Sequence, residues 1–183
     1  MHTNTVKTLK ERQVEATKIM KAEFGLDNAM QAPRILKVVV AAGVGSFKDK
    51  KKVELAGLRM AQITGQKPVL RGAKKSIAGF KSRENDPMGY QSTLRGAVMW
   101  DFLEKVVHIA LPRTKDFRGL SRTAVDDMGN YTLGVPEHTI FPETADEELK
   151  DVFGLGITIV TNLSDKKATL RFLELLGFPL KKA

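Results

Sequence analysis

The chain has 183 residues, 42% of them hydrophobic and 28% charged, with a formal net charge of +9 and no cysteine. That apolar fraction is ample for a packed core and excludes wholesale disorder, and no apolar run approaches the roughly 20 residues of a membrane-spanning helix. Lack of cysteine excludes disulfides and thiolate metal sites and fits a cytosolic protein, while the cationic excess points to a polyanionic partner, nucleic acid first and an anionic membrane surface second.

The opening segment MHTNTVKTLKERQVEATKIMKAEF spreads its charges throughout and predicts no secretory leader. Within it Val6, Leu9, Gln13, Ala16 and Met20 recur at near-helical spacing. The pattern predicts an amphipathic helix from Val6 to Phe24, ended by Gly25 and followed by a turn at Asp27-Asn28. After Pro33 the β-branched run Ile35 to Ala41 reads as a strand, closed by Gly43-Val44-Gly45. The basic run Lys48 to Lys52 leads into a second helix with Val53, Ala56, Met60 and Ile63 on one face and Gly65 placed to cap its end.

From Ile63 to Gly96 runs the stretch that organises the rest. Between Lys67 and Arg83 it carries Lys67, Arg71, Lys74, Lys75, Lys81 and Arg83 and no acid, with glycines at 65, 72, 79, 89 and 96 and Phe80 among the cations. Such a segment resists burial, because its charges repel and each is costly to desolvate, so it orders most easily against a polyanion. An aromatic among cations suits base or ribose stacking. A strand from Lys67 to Arg71 enters this basic loop and a second, from Met88 to Leu94, leaves it. Alternation of Gln91, Thr93 and Arg95 against Tyr90, Ser92 and Leu94 leaves one face polar.

Val98, Phe102, Val106 and Ile109 then predict a third helix, stopped by Pro112, and LPRTKDFRGL a basic loop in which Asp116 can pair with Arg113 or Arg118. Thr123 to Asp126 and Asn130 to Val135 read as a hairpin about Asp127-Met128-Gly129. Charge reverses from Glu137 to Asp151, where Glu137, Glu143, Asp146, Glu147, Glu148 and Asp151 face Lys150 alone. A last strand spans Ile157 to Thr161. The closing helix takes Ser164 as N-cap and Asp165 in its first turn, buries Ala168, Phe172, Leu175 and Leu176, and ends at Gly177. Strands joined by hairpins and loops predict an α+β fold, an antiparallel sheet with helices on one face, an open face and the long basic loop free for RNA. The chain reads as a single domain, residues 1–183, with an N-terminal helix over 1–25 and a protruding loop over 72–86.

Catalysis finds little support. His2, His108 and His138 lack metal-ligand spacing, His108 reads as a partly packed helix residue, and Ser76 has no base near it in sequence. Gly43-Val44-Gly45-Ser46 lacks the GxxxxGK[ST] pattern of a phosphate-binding loop and serves as a strand-ending turn. No catalytic residue, metal or cofactor is expected. Lys48 to Lys52 reads first as a solvated helix start, the 113–118 loop equally as a shaped loop or an RNA contact, and the acidic stretch as a solvated face, a means of repelling RNA on one side, or a dock for a basic protein.

ITGQKP, AKKSIAGFK, TLRG, LPRTKDFRGL, GNYTLG and IFPE follow one another in this chain. In that order they resemble the family of bacterial ribosomal large-subunit protein five, which binds 5S ribosomal RNA, over nearly the whole chain from about Phe24 to Pro179. The resemblance implies the same α+β fold and a non-enzymatic protein of the cytoplasmic ribosome. Implied partners are 5S ribosomal RNA, peptidyl-site tRNA, 23S ribosomal RNA as a further candidate, small-subunit ribosomal protein thirteen and neighbouring large-subunit proteins, with no membrane. It implies 5S contacts at Gln66 and Thr93, beside the cations Lys67 and Arg95. A tRNA-facing loop is implied at Lys74, Lys75, Ser76, Gly79, Phe80, Lys81 and Arg83. Contact across the subunit interface is expected from Arg113, Lys115, Arg118, Glu143, Asp146, Glu147 and Glu148. The chain departs from the family pattern at Ala41, where an asparagine is common, at RENDPMG in place of REGMPIG, and at Gln91-Ser92 in place of a Lys-Val type pair. The competing readings are a stand-alone RNA chaperone or regulatory RNA-binding module and, without residues to carry it, an enzyme acting on RNA.

Overall fold

The computed structural model describes residues 7–181 apart from Asp27, Lys48, Asp116 and 145–151. In chain order its main elements are α1 (Leu9–Phe24), β1 (Ile35–Gly43), α2 (Lys50–Thr64), β2 (Val69–Gly72), β3 (Pro87–Leu94), α3 (Gly96–Lys105), α4 (Leu111–Arg113), β4 (Tyr131–Val135), β5 (Leu155–Thr161) and α5 (Lys166–Leu176). The strands form one five-stranded antiparallel sheet in the order β2-β3-β1-β5-β4, which makes the fold α+β as the pattern predicts.

Local chemistry explains the element ends. Thr8 caps α1 in a reciprocal box with Glu11, and Gly25 ends it at φ 61°, a left-handed conformation that glycine reaches without a Cβ penalty. Val6 lies outside the described residues. Asp49 caps α2 through the Lys51 N–H, and Gly65 ends it. At α5 the cap is Asp165, not Ser164: the carboxylate accepts the Ala168 N–H at 3.2 Å. The helix starts one residue later than expected, and the acid then has both the capping geometry and the favourable side of the helix dipole.

Two further expectations are corrected. Pro112 does not stop the third helix but lies inside a continuing helical run. Residues 106–110 wind as a wider π turn in which the Leu111 N–H reaches the Val106 carbonyl, and this turn precedes a proline that has no N–H to give. The run buries Met99, Phe102, Leu103, Val106, Val107, Ala110 and Leu111 and leaves Val98 and Ile109, expected on the inward face, exposed. The expected hairpin about residues 127–129 keeps its turn, with the Asp126 N–H on the Asn130 carbonyl, but only Val125 pairs across it, with Tyr131.

The chain groups into two compact units, one of residues 1–37, 95–132 and 159–183, the other of 38–94 and 133–158. In the first, Leu9, Ala16 and Met20 of α1 and Phe172, Leu173 and Leu176 of α5 are buried. Between these helices Arg171 forks onto Glu23 at 3.0 and 2.7 Å, which lowers the Glu23 carboxyl below its ordinary range. In the second, α2 lies against β3 with Gly57 directly over the Tyr90 ring. A Cβ at position 57 would come within 2.7 Å of that ring. Burial and the nearby Glu54 carboxylate push the Tyr90 phenol up. His138 is fully buried, stacked on Phe153 with ring centroids 4.0 Å apart, and its Nδ1 accepts the Phe153 N–H. It is a core histidine.

Candidate nucleic-acid interface

Strand alternation sorts the second unit's side chains to two faces. Val38, Val40 and Ala42 of β1 are buried, as are Leu94 and Ser92 of β3, and register pairs Val38 with Leu94, Val40 with Ser92 and Ala42 with Tyr90. The same pairing places Val39 opposite Thr93, Ala41 opposite Gln91 and Gly43 opposite Gly89 on the other face. On β2, Arg71 stands opposite Gly89, and its Nε donates to the Gln91 Oε1 at 2.9 Å. Gly134 and Gly156 continue this face onto β4 and β5, Gly134 exposed between buried Leu133 and Val135 and Gly156 half-buried between buried Leu155 and Ile157.

The result is a shallow concavity of about 890 Å³, floored by Ala41, Gly43, Gly134 and Gly156 and edged by Arg71 and Gln91. A Cβ added at Gly43 or Gly134 would meet nothing within 4 Å, so the floor is bare backbone open to an approaching ligand. Tyr90 is the aromatic among the concavity's described lining residues, and its ring turns to the covered face, against Gly57 of α2. That rules out the stacked-base mode of sheet-based readers and leaves hydrogen bonding and close backbone approach. Sequence reading found Gln91 and Thr93 by alternation. It missed the glycine floor, whose members come from separate strands, and the pairing of Arg71 with Gln91.

Of the predicted 5S residues, Gln66, Lys67 and Thr93 lie toward one end of the β2–β3 ladder. Thr93 is half-buried on the open face, and exposed Gln66 and Lys67 lie just ahead of β2, whose first residue Val69 pairs with Gln91. Arg95 is exposed at the N-cap position of α3. The Gln66 carbonyl accepts the Thr64 hydroxyl at 3.0 Å, which fixes the backbone and leaves the Gln66 side chain outward.

At the other end of the ladder the basic loop, residues 73–86, forms the tip of the hairpin. It holds its own framework. Ala73 and Asn85 bond backbone to backbone, Ile77 and Ser82 form a bridge, and the Ser76 hydroxyl accepts the Glu84 N–H at 2.9 Å. Asp86 accepts the Arg83 N–H at 2.6 Å. Lys81 and Asn85 take positive φ, at 52° and 68°, to turn the chain. Ser76 therefore staples the loop, while Lys74, Lys75, Lys81 and Arg83 make no ion pair among the described residues, and Phe80 is 81% exposed beside Gly79.

The third group is placed only in part. Arg113 ends α4, and Arg113, Lys115, Arg118 and Glu143 are exposed. Asp116, Asp146, Glu147 and Glu148 lie outside the described residues. No cluster of three metal-ligating side chains occurs among the described residues, and no helix among them is long and apolar enough to cross a membrane. His108 is exposed, with Nε2 at 3.1 Å from Glu104.

Residues 28–83 match the family profile described as ribosomal protein L5, and residues 87–180 match the profile for the C-terminus of the same ribosomal family. The chain is 46% identical over 175 residues to the large ribosomal subunit protein uL5 of Rubrobacter xylanophilus, covering 94% of this chain and 97% of that one. It is 49% identical over 164 residues to its counterpart from Desulfatibacillum aliphaticivorans, covering 89% and 92%. With that of Helicobacter hepaticus the figures are 45% over 164 residues, covering 89% and 91%.

Proposed function

The chain belongs to the ribosomal protein L5 family, and on that footing we propose how its surfaces divide the work of a ribosomal protein. It is a non-enzymatic constituent of the large subunit of the cytoplasmic ribosome, where its partners are ribosomal RNA and other ribosomal proteins. The open sheet face binds 5S ribosomal RNA. Its floor of Ala41, Gly43, Gly134 and Gly156 admits a sugar-phosphate backbone closely. Thr93 and Gln66 offer hydrogen bonds to ribose hydroxyls and base edges, and Lys67, Arg71 and Arg95 neutralise phosphates.

The hairpin tip faces the peptidyl-site tRNA, with Lys74, Lys75, Lys81 and Arg83 on phosphates and Phe80 stacking. Its internal hydrogen bonds support a preformed shape that needs little ordering on contact. The exposed Arg113, Lys115 and Arg118 and the acidic stretch that includes Glu143 contact small-subunit protein thirteen, a basic partner suited to the acids.

The single observation that carries the 5S reading is the concavity with its bare glycine floor, edged by Arg71 and Gln91. Recovery of 5S RNA by tagged protein tests it. Affinity should fall steeply with salt, log K changing by roughly 0.7 to 0.9 per phosphate neutralised against log salt. A binding constant flat from low to physiological salt would contradict it.

A further inference from the structure

We propose that the outward flank of α1 is a second RNA-binding surface, gripping the sugar-phosphate backbone of a helical RNA segment distinct from the one on the sheet. Helical periodicity puts Leu9, Ala16 and Met20 inward and gathers Lys10, Val14, Lys18 and Lys21 on one exposed flank. Lys10 to Lys21 spans about 17 Å along the helix axis. The flank lies in the first unit and shares no residue with the sheet concavity of the second.

Lys10 and Lys18 do little for the helix itself, while Lys21 in the last turn sits on the favourable side of the helix dipole. No glutamate of α1 stands four residues before a lysine, so the best stabilising pairs of a solvated helix are missing. Lys18 and Lys21, three apart, repel each other, and Lys10 sits in the first turn, where the helix dipole disfavours a cation. The nearby acids are already engaged. Glu11 accepts the Thr8 N–H. Glu15, three residues before Lys18, pairs instead with Lys7 at 2.5 Å. Glu23 holds Arg171, and Glu104 meets the Leu9 N–H and His108. Lys10, Lys18 and Lys21 consequently make no ion pair among the described residues, and a polyanion laid along the flank would relieve their repulsion.

The chemistry of the flank indicates which polyanion. Lysine is a point charge without the planar fork that reads base edges, and the flank carries no aromatic, so it suits phosphates and not sequence. Val14, 57% exposed, is its only apolar side chain, too little to seat the helix in a bilayer. A regular RNA duplex presents a backbone of the required kind.

The test uses the intact protein with 5S RNA already bound and, as probe, a short perfectly paired RNA duplex, titrated across a range of salt. The wild-type complex should take up the duplex without releasing 5S RNA. The triple variant Lys10→Gln/Lys18→Gln/Lys21→Gln should bind it about tenfold or more weakly, with the salt slope reduced by about 2 to 3. Its 5S recovery and thermal midpoint should stay at wild-type values, and Lys→Arg at the same three positions should restore duplex binding. Equal duplex binding by wild type and triple variant would overturn the proposal. So would failure of the wild-type complex to bind the duplex, displacement of 5S RNA by it, or lysine-dependent binding to phosphatidylglycerol vesicles without binding to the duplex. If 5S RNA is not retained at all, the sheet-face reading fails, and the same titration on the free protein still decides this one.

Discussion

On the open face of the sheet, Ala41, Gly43, Gly134 and Gly156 leave the backbone bare, and the nearest cation, Arg71, is tied to Gln91. At the tip of the hairpin that β2 and β3 extend from that same sheet, Lys74, Lys75, Lys81 and Arg83 stand free of ion pairs among the described residues and Phe80 is 81% exposed. The first region offers shape with little charge, and the second offers charge on a stapled scaffold. Close approach makes a surface selective for the contour of its RNA, whereas free lysines attract any phosphate without regard to contour. On the proposed reading, one small protein keeps one RNA by fit and meets another by electrostatics.

The comparison breaks most visibly if the floor is filled. Gly134→Ile puts a strand-favouring side chain where a Cβ meets nothing within 4 Å, so folding should be unaffected. Affinity for 5S RNA should drop at least tenfold, about 1.4 kcal/mol, in a filter-binding titration. Unchanged affinity would remove the floor from the interface. The layer beneath is probed by Gly57→Ala. In an ordinary helix interior this change gains up to about 1 kcal/mol. Here the new methyl meets the Tyr90 ring at 2.7 Å, and overpacking costs typically about 1–3 kcal/mol. Net destabilisation of about 1 kcal/mol in denaturant unfolding is expected, and a gain in stability would show that Tyr90 is not held.

Legibility in the sequence followed the range of the interactions. Stops at Gly25, Gly65 and Gly177 and the polar face of β3 depend on neighbours a few residues away, and both were readable. Choosing Asp165 over Ser164 as cap needed the exact start of α5. The continuation of the third helix through Pro112 needed the π turn that precedes it. The glycine floor needed the strand order, since Gly43, Gly134 and Gly156 are far apart along the chain. The hairpin tip hid its framework too, because the Ser76 hydroxyl meets the Glu84 N–H eight residues on.

Two smaller effects sharpen the contrast. Thr93→Val keeps shape and removes one hydroxyl from the open face, so 5S affinity should fall by about 0.5–1.5 kcal/mol. No change would exclude Thr93 from the contact. On the covered face Ser92 is 2% exposed and its hydroxyl has no hydrogen-bond partner among the described residues. Ser92→Ala removes that unsatisfied group at nearly constant volume and should stabilise the fold by up to about 1 kcal/mol without altering RNA binding. A loss of stability there would mean the hydroxyl is satisfied.

The division between fit and charge is tested most directly by the triple variant Lys74→Ala/Lys75→Ala/Lys81→Ala, carried into assembled large subunits. Measured at physiological salt, 5S RNA recovery should equal that of wild type while retention of peptidyl-tRNA on the ribosome falls. Loss of 5S recovery by this variant would contradict the account, because the hairpin tip and the sheet face would then serve one RNA together.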